Sequence, residues 1–320
     1  MVVYRLFGLI ASRSGDFFLG ASLDSGFDGT TPMKAFVLAA RPKTLPAAIV
    51  PVCIGCLLAH YLTGEWNPRL AIYTLASALW IQIATNFFND AIDAQKGADT
   101  DARLGPVRVT ASGQLSTKTV YAVAVFSLIL AAVCGWPLIM ARGWPMLVIG
   151  IPSLYLAYGY TGGPLPLAYR GLGELFVILF FGLVAVTGTV FVQTGEWYTE
   201  ALAAGLAVGC LSAVLISVNN LRDVDEDRSN GKNTLAVRWG RPAVLNLVIA
   251  MTTVAYICAV CLFGARLESF YFIPSLIIGL FVVRNLCTHP PGPVYNKFLA
   301  LSALQLILYA LAFTMNVSFP

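Results

Sequence analysis

Nine stretches of this chain are apolar enough to cross a bilayer as helices, and no other feature constrains its fold so tightly. They lie at 34–62, 69–90, 119–141, 143–159, 172–193, 198–221, 243–264, 269–286 and 296–316. Each has roughly 17–29 residues, against the ~20 that a transmembrane helix needs. Composition agrees: 58% of residues are hydrophobic and 11% charged, where a soluble domain carries about 25% charged. A water-soluble core of this size could not bury so much apolar surface. In lipid every backbone amide must be paired within the chain, which for runs of this length means helices. The expectation is an all-α integral membrane protein, a bundle of nine transmembrane helices. The fourth run is the shortest. Pro46 and Pro51 predict a kink in the first, because proline lacks the backbone donor.

The first 32 residues stand apart. They are rich in Gly, Ser and Asp and lack the long apolar core of a signal peptide. Asp16, Asp24 and Asp28 argue against an organelle transit peptide. Residues 1–32 read as a flexible tail, ahead of a membrane domain at 33–320. The seven cysteines include two C-x-x-C pairs, Cys53/Cys56 and Cys258/Cys261. Both lie in apolar runs with no His or acid at ligand spacing, so they read as packing residues and not as a zinc site or a disulfide framework. No basic stripe interleaved with aromatics points to nucleic acid. Nothing in the chain marks an obligate protein partner.

Basic residues set the expected orientation. With nine spans and a cytoplasmic N-terminus, all 20 Lys and Arg except Arg69, Arg142 and Arg266 fall on the cytoplasmic side. The expected topology is N-in and C-out, in a bacterial cytoplasmic (inner) membrane. The charged loops after the second and sixth runs then share one face.

Half of the 16 acids sit in those two loops: Asp90, Asp93, Asp99 and Asp101, then Asp223, Asp225, Glu226 and Asp227. Charges beside a bilayer are costly, so clusters at the ends of apolar helices signal function. On a helix Asn86, Asp90 and Asp93 share one face, and so do Asn219, Asp223 and Asp227. The spacing from Asn86 to Asn219 equals that from Asp90 to Asp223, and a Lys–Gly or Gly–Lys pair follows each motif, at Lys96–Gly97 and Gly231–Lys232. The pattern looks like one device used twice, on the second and sixth helices, facing a central cavity on the cytoplasmic side. Asp99, Asp101, Asp225 and Glu226 fit solvated helix ends equally well. Hard carboxylate oxygens suit Mg²⁺, which favours a few carboxylates completed by substrate phosphates. The nearby Lys96, Arg103, Arg108, Arg222, Arg228 and Lys232 suit a diphosphate. Acids and cations together point to a metal-bridged diphosphate.

On these residues the chain resembles the UbiA-type intramembrane aromatic prenyltransferases. Asn86, Asp90 and Asp93 are similar to their N-x-x-x-D-x-x-D signature, and Asp223 and Asp227 to their D-x-x-x-D signature. The flanks "KGAD", "RLGPVR", "YRGLGELFVILFFG" and "NNLRDVDEDRSNGKNTLAVRWG" resemble the 1,4-dihydroxy-2-naphthoate polyprenyltransferase branch of menaquinone synthesis. Two departures stand out. Gly97 occupies a place where many members carry a third acid, with Asp99 the nearest replacement. Tyr160 is followed by Pro164 where many members have a Y-x-x-x-K lysine.

The resemblance implies transfer of a polyprenyl chain from an allylic polyprenyl diphosphate to an aromatic acid. In the naphthoate branch CO₂ and diphosphate are lost and demethylmenaquinone is formed. It implies Mg²⁺ on the catalytic Asp90, Asp93, Asp223 and Asp227. Asn86, Asn219, Lys96, Arg103, Arg108, Arg222 and Lys232 would then surround the diphosphate. Arg41, Lys43, Phe87, Tyr158 and Tyr160 would lie near the acceptor or the allylic cation. Siblings using 4-hydroxybenzoate or homogentisate stay open. A secondary transporter is the rival class, since transporters also place acids in membrane helices. Transporter acids tend toward the midplane, whereas these lie at helix ends.

Overall fold

The computed structural model describes residues 32–97, 104–105, 108–264 and 267–318. They form helices α1 (Pro32–Ala40), α2 (Pro46–Thr63), α3 (Pro68–Gln95), α4 (Thr117–Arg142), α5 (Pro145–Gly159), α6 (Gly173–Thr194), α7 (Thr199–Arg222), α8 (Val224–Ser229), α9 (Leu235–Phe263), α10 (Ser269–Thr288) and α11 (Tyr295–Ser318). No strand occurs among the described residues. A helix lies in each expected run, and eight are long and apolar enough to cross a membrane. The fourth, α5, has only 15 residues. At 1.5 Å per residue it covers about 22 Å, against a hydrocarbon core of ~30 Å. The expected tail falls outside the described residues except at Pro32, which opens α1.

The first run is not one helix, which corrects the expected single span over 34–62. It breaks between α1 and α2, where Arg41 takes a left-handed conformation (φ 50, ψ 70) and Pro42–Thr44 forms a 3₁₀ turn. Pro42 favours the break, because a proline disfavours right-handed helical geometry in the residue before it, here Arg41, and Pro46 then opens α2 at its first turn. Pro51, by contrast, is carried within α2.

Lipid is the solvent for the outer faces. Phe126, Ile129, Val133, Trp136 and Met140 form an exposed stripe along α4. Their spacing of three to four residues keeps them on one helix face. Such a face would aggregate in water, and the protein is an integral membrane protein. The centre belongs to α7, with 72% of its most apolar window buried against 22% for α4.

Small residues explain why neighbours close on α7 so tightly. Gly205 and Gly209 form a G-x-x-x-G that meets α6 where α6 becomes π-helical, Ile178–Val184. A Cβ on Gly209 would stand 2.6 Å from the Ile178 carbonyl oxygen and 2.9 Å from its Cα. Both are backbone atoms and cannot swing aside. Gly209→Ala is expected to destabilise the protein by about 1–3 kcal/mol, read as a lower melting temperature in detergent. Gly150→Ala, at a helical glycine with open space around it, should leave that temperature unchanged. Equal behaviour of the two variants would overturn this packing account.

Two cores result. One is shared by α2, α6, α7, α9, α10 and α11. The other joins α1, α3 and α4 around Phe87, Phe88 and Val120. Between them α2 to α6 enclose an apolar cavity of about 410 Å³. Gln82 and Tyr160 line one end and Leu138, Met146 and Val192 the other.

Candidate active site

The C-terminal ends of α3 and α7 lie at the same end of the bundle, each carrying an acidic motif, with the Tyr169 segment between them. On α3, Asp90 and Asp93 are 2% and 4% exposed. Asp90 Oδ1 accepts from the Thr110 amide at 2.9 Å. Asp93 Oδ1 accepts from the Tyr169 hydroxyl at 2.9 Å, and its Oδ2 from Arg108 Nη2 at 3.2 Å. Arg108 is itself buried. It thus pairs with the Asp93 carboxylate inside the protein.

The second motif is not one continuous helix. α7 ends at Arg222, Asp223 has non-helical φ/ψ (−97, 14), and α8 starts at Val224. The i,i+4 spacing survives the break because the Asp223 amide bonds to Asn219 O and the Asp227 amide to Asp223 O, at 3.1 and 2.8 Å. Asp227 is buried and lies 3.4 Å from Lys232 Nζ. Its Oδ2 is buried with no hydrogen-bond partner. Burial pushes the Asp227 carboxyl up to about 6, with Lys232 opposing and Asp223 adding to the rise.

Tyr169 joins the two motifs. Besides holding Asp93, its ring receives Lys96 Nζ at 3.8 Å and Lys232 Nζ at 5.9 Å, within cation–π range. Its carbonyl accepts from the Asn233 amide at 3.2 Å. Lys96 also donates to the Thr161 carbonyl at 2.9 Å. Burial holds Lys96 below the usual lysine range; Asp93 opposes this and Lys232 adds to it. Two ammonium groups near one ring, next to buried carboxylates, form a site that could take an anion together with a cation.

Several of the expected ligands have partners within the chain. Arg222 does not stand open to a diphosphate. It is 3% exposed, with Nε and Nη2 on the two Asp223 oxygens at 2.7 Å. Nη2 also reaches Asn219 Oδ1 at 2.8 Å, and Nη1 reaches Asn296 Oδ1 at 2.6 Å. Arg222 is therefore the buried support of Asp223, and Asn219 belongs to that support. Asn296 extends it, donating to the Leu104 carbonyl at 3.0 Å. Asn86 is likewise spent on structure: its Nδ2 donates to Ala40 O at 2.8 Å and to Thr44 Oγ1 at 3.0 Å. It fastens the Arg41 turn to α3.

Of the aromatics, Phe87 is 2% exposed inside the second core and does not face the cavity. Tyr158 packs edge-on against Phe88 at 5.4 Å. Tyr160 does line the cavity. Lys43 is exposed, and Arg41 is half-buried in its left-handed turn. Arg103 and Asp99 lie outside the described residues. Asn89, Thr110, Tyr169 and Asn296 were missed in the sequence. Asn89 is next to Asp90 and accepts from Thr161 Oγ1. The signal for Tyr169 was its place at the head of "YRGLGE".

Does the donor set fit a divalent ion? Among the described residues no three His, Cys, Asp or Glu side chains converge on one point. Mg²⁺ does not require that, since it keeps water and takes substrate phosphate oxygens alongside one or two carboxylates. The orphaned Asp227 Oδ2 is a hard, anionic donor of the right kind. The residues present fit the group.

Comparison with known proteins identifies the family. The model of the UbiA prenyltransferase family matches residues 48–289. The chain is 37% identical over 261 residues to a 1,4-dihydroxy-2-naphthoate octaprenyltransferase of Mycobacterium tuberculosis, covering 81% of this chain and 85% of that protein. It is 35% identical over 220 residues to the enzyme of the same name from Bacillus subtilis, covering 69% and 70%. Among solved structures, the apo UbiA homolog from Aeropyrum pernix superposes with a TM-score of 0.67 at 18% identity, covering 85% of this chain and 97% of that one. The UbiA homolog from Archaeoglobus fulgidus bound to DMAPP and Mg²⁺ gives 0.61 at 16% identity, covering 89% and 100%. With a family model spanning most of its length and relatives this similar, the chain belongs to the UbiA prenyltransferase family.

Proposed function

We propose that this protein transfers a polyprenyl chain from an allylic polyprenyl diphosphate to 1,4-dihydroxy-2-naphthoate, with loss of CO₂ and diphosphate. The observation that carries the reading is the Tyr169 bridge. It brings both acidic motifs and Lys96 and Lys232 together beside an apolar cavity. The choice of acceptor rests on relatives that bear the naphthoate name at 35% and 37% identity. Siblings using 4-hydroxybenzoate or homogentisate are the alternative that the assay below separates.

Lys96 and Lys232 grip the diphosphate and share the charge that grows as the allylic C–O bond breaks. Asp90, Asp93, Asp223 and Asp227 would hold Mg²⁺, Asp227 through its orphaned Oδ2. When bound, the ion supplies Lewis-acid stabilisation of the leaving diphosphate. Arg108 and Arg222 balance Asp93 and Asp223 in the present structure. The cavity receives the isoprenoid tail and keeps water from the allylic cation. Tyr160, Phe176 and Phe180 line it and offer ring faces to that cation.

All nine apolar helices cross the membrane in this reading, α5 included. Met146 near the start of α5 packs with Leu70 at the start of α3, and Thr161 just past its end meets Lys96 at the end of α3. The acid-bearing end faces the cytoplasm and the C-terminus lies outside, a reading that the excess of Lys and Arg on that side supports.

The test is a membrane assay with one polyprenyl diphosphate and a panel of aromatic acids, read by product mass. The naphthoate should give a decarboxylated prenyl product, and EDTA should stop its formation. A product from 4-hydroxybenzoate or homogentisate alone would overturn the acceptor. An unaffected rate in EDTA would overturn the metal.

A further inference from the structure

Gln82 lies one helical turn before Asn86, on the face of α3 that carries the acids. It is 7% exposed and lines the cavity. The orientation of its amide is forced by its neighbours. The Ala40 carbonyl can only accept, so Asn86 must turn its Nδ2 toward it, at 2.8 Å. Asn86 Oδ1 then faces Gln82, which must present Nε2, at 3.2 Å. That nitrogen also reaches Thr44 Oγ1 at 3.3 Å. Gln82 Oε1 is left buried with no hydrogen-bond partner. A flip would set two carbonyl oxygens against each other, so the orphan is fixed in place by the network.

An unpaired buried acceptor is costly, and such atoms in native proteins call for a partner. The isoprenoid tail has no O–H or N–H to donate. The second substrate of the proposed reaction does: it is an aromatic acid with ring hydroxyls. We propose that Gln82 Oε1 accepts a hydrogen bond from a ring hydroxyl of the acceptor. Gln82 thereby determines specificity for a hydroxylated ring. The inference rests on the function proposed above. The same oxygen repels a carboxylate, so the ring enters with a hydroxyl toward Gln82 and its carboxylate turned away. Thr44, which receives both amides, also donates to the Arg41 carbonyl at 3.0 Å, so the Arg41 turn and the acceptor contact are held by one network.

The test measures dissociation constants on the purified full chain in detergent. A thiolo-diphosphate donor analogue is present throughout, so that no turnover occurs. The ligands are 1,4-dihydroxy-2-naphthoate and its 1-hydroxy and 4-hydroxy counterparts. The wild type should bind the dihydroxy acid about 10-fold more tightly than at least one monohydroxy acid, as one good hydrogen bond to a buried acceptor allows. In Gln82→Met, which keeps the volume and loses the oxygen, that ratio should fall to near one while affinity for the donor analogue holds. Gln82→Glu, as a buried neutral acid, retains the carbonyl oxygen and should restore the discrimination. Equal affinity of the wild type for all three acids overturns the inference, and needs no variant to fold. So does a Gln82→Met protein that still discriminates. If the wild type instead prenylates a different hydroxylated acid and no naphthoate, the naphthoate reading fails. The same comparison, made with that acid and its deoxy analogue, then decides Gln82.

Discussion

Asp227→Asn is expected to cut prenyl transfer by at least about 100-fold, the scale on which a preorganised charged or polar group acts in a catalytic site, without lowering the melting temperature of the protein. The two effects have one cause. Asp227 is buried, its Oδ2 has no partner, and burial outweighs the help from Lys232. A neutral amide of the same shape relieves that cost and removes the anionic oxygen that the diphosphate site needs. Asp90→Ala should lose activity comparably, since Asp90 is buried on the facing helix. Turnover near wild type in either variant, measured in membranes with Mg²⁺, would remove these carboxylates from the site.

Arg222→Met carries the largest expected stability effect, about 3–5 kcal/mol, because removing one partner leaves a buried charge uncompensated. Here that charge is Asp223, gripped by Arg222 through both oxygens. The double variant Arg222→Met/Asp223→Leu should recover most of the loss, since an apolar pair replaces the ion pair at similar volume. It should recover no activity. Chemical denaturation in detergent checks the first part and the prenyl-transfer assay the second. An Arg222→Met protein of normal stability with only a raised KM for the diphosphate would instead make Arg222 a substrate ligand.

The contrast between Arg222 and Lys96 shows how far the chain could be read without its fold. Both are cations beside an acidic motif, and spacing alone gave them the same role. Only packing separates them. Arg222 is turned inward among Asp223, Asn219 and Asn296, while Lys96 lies over the ring of Tyr169, whose hydroxyl donates to Asp93. Asn86 shows the same limit. Its helix face was correct, yet its amide is claimed by Ala40 and Thr44.

Local signals determined the apolar runs and the shared helix face of Asn86, Asp90 and Asp93; they pointed to Pro46 and Pro51 for a kink, whereas the break falls at Arg41–Thr44. Hydropathy over about 20 residues and the 3.6-residue turn act between near neighbours in the chain. The motif letters, with no geometry at all, pointed to the family. Tertiary structure alone decided which side chains are partners. Tyr169 meets Asp93 from 76 residues away, and Asn296 meets the Leu104 carbonyl from 192 away. It also decided that Gln82 keeps one oxygen unpaired inside a cavity. An unsatisfied acceptor exists only once every other donor around it has been placed, and no periodicity in the sequence encodes that.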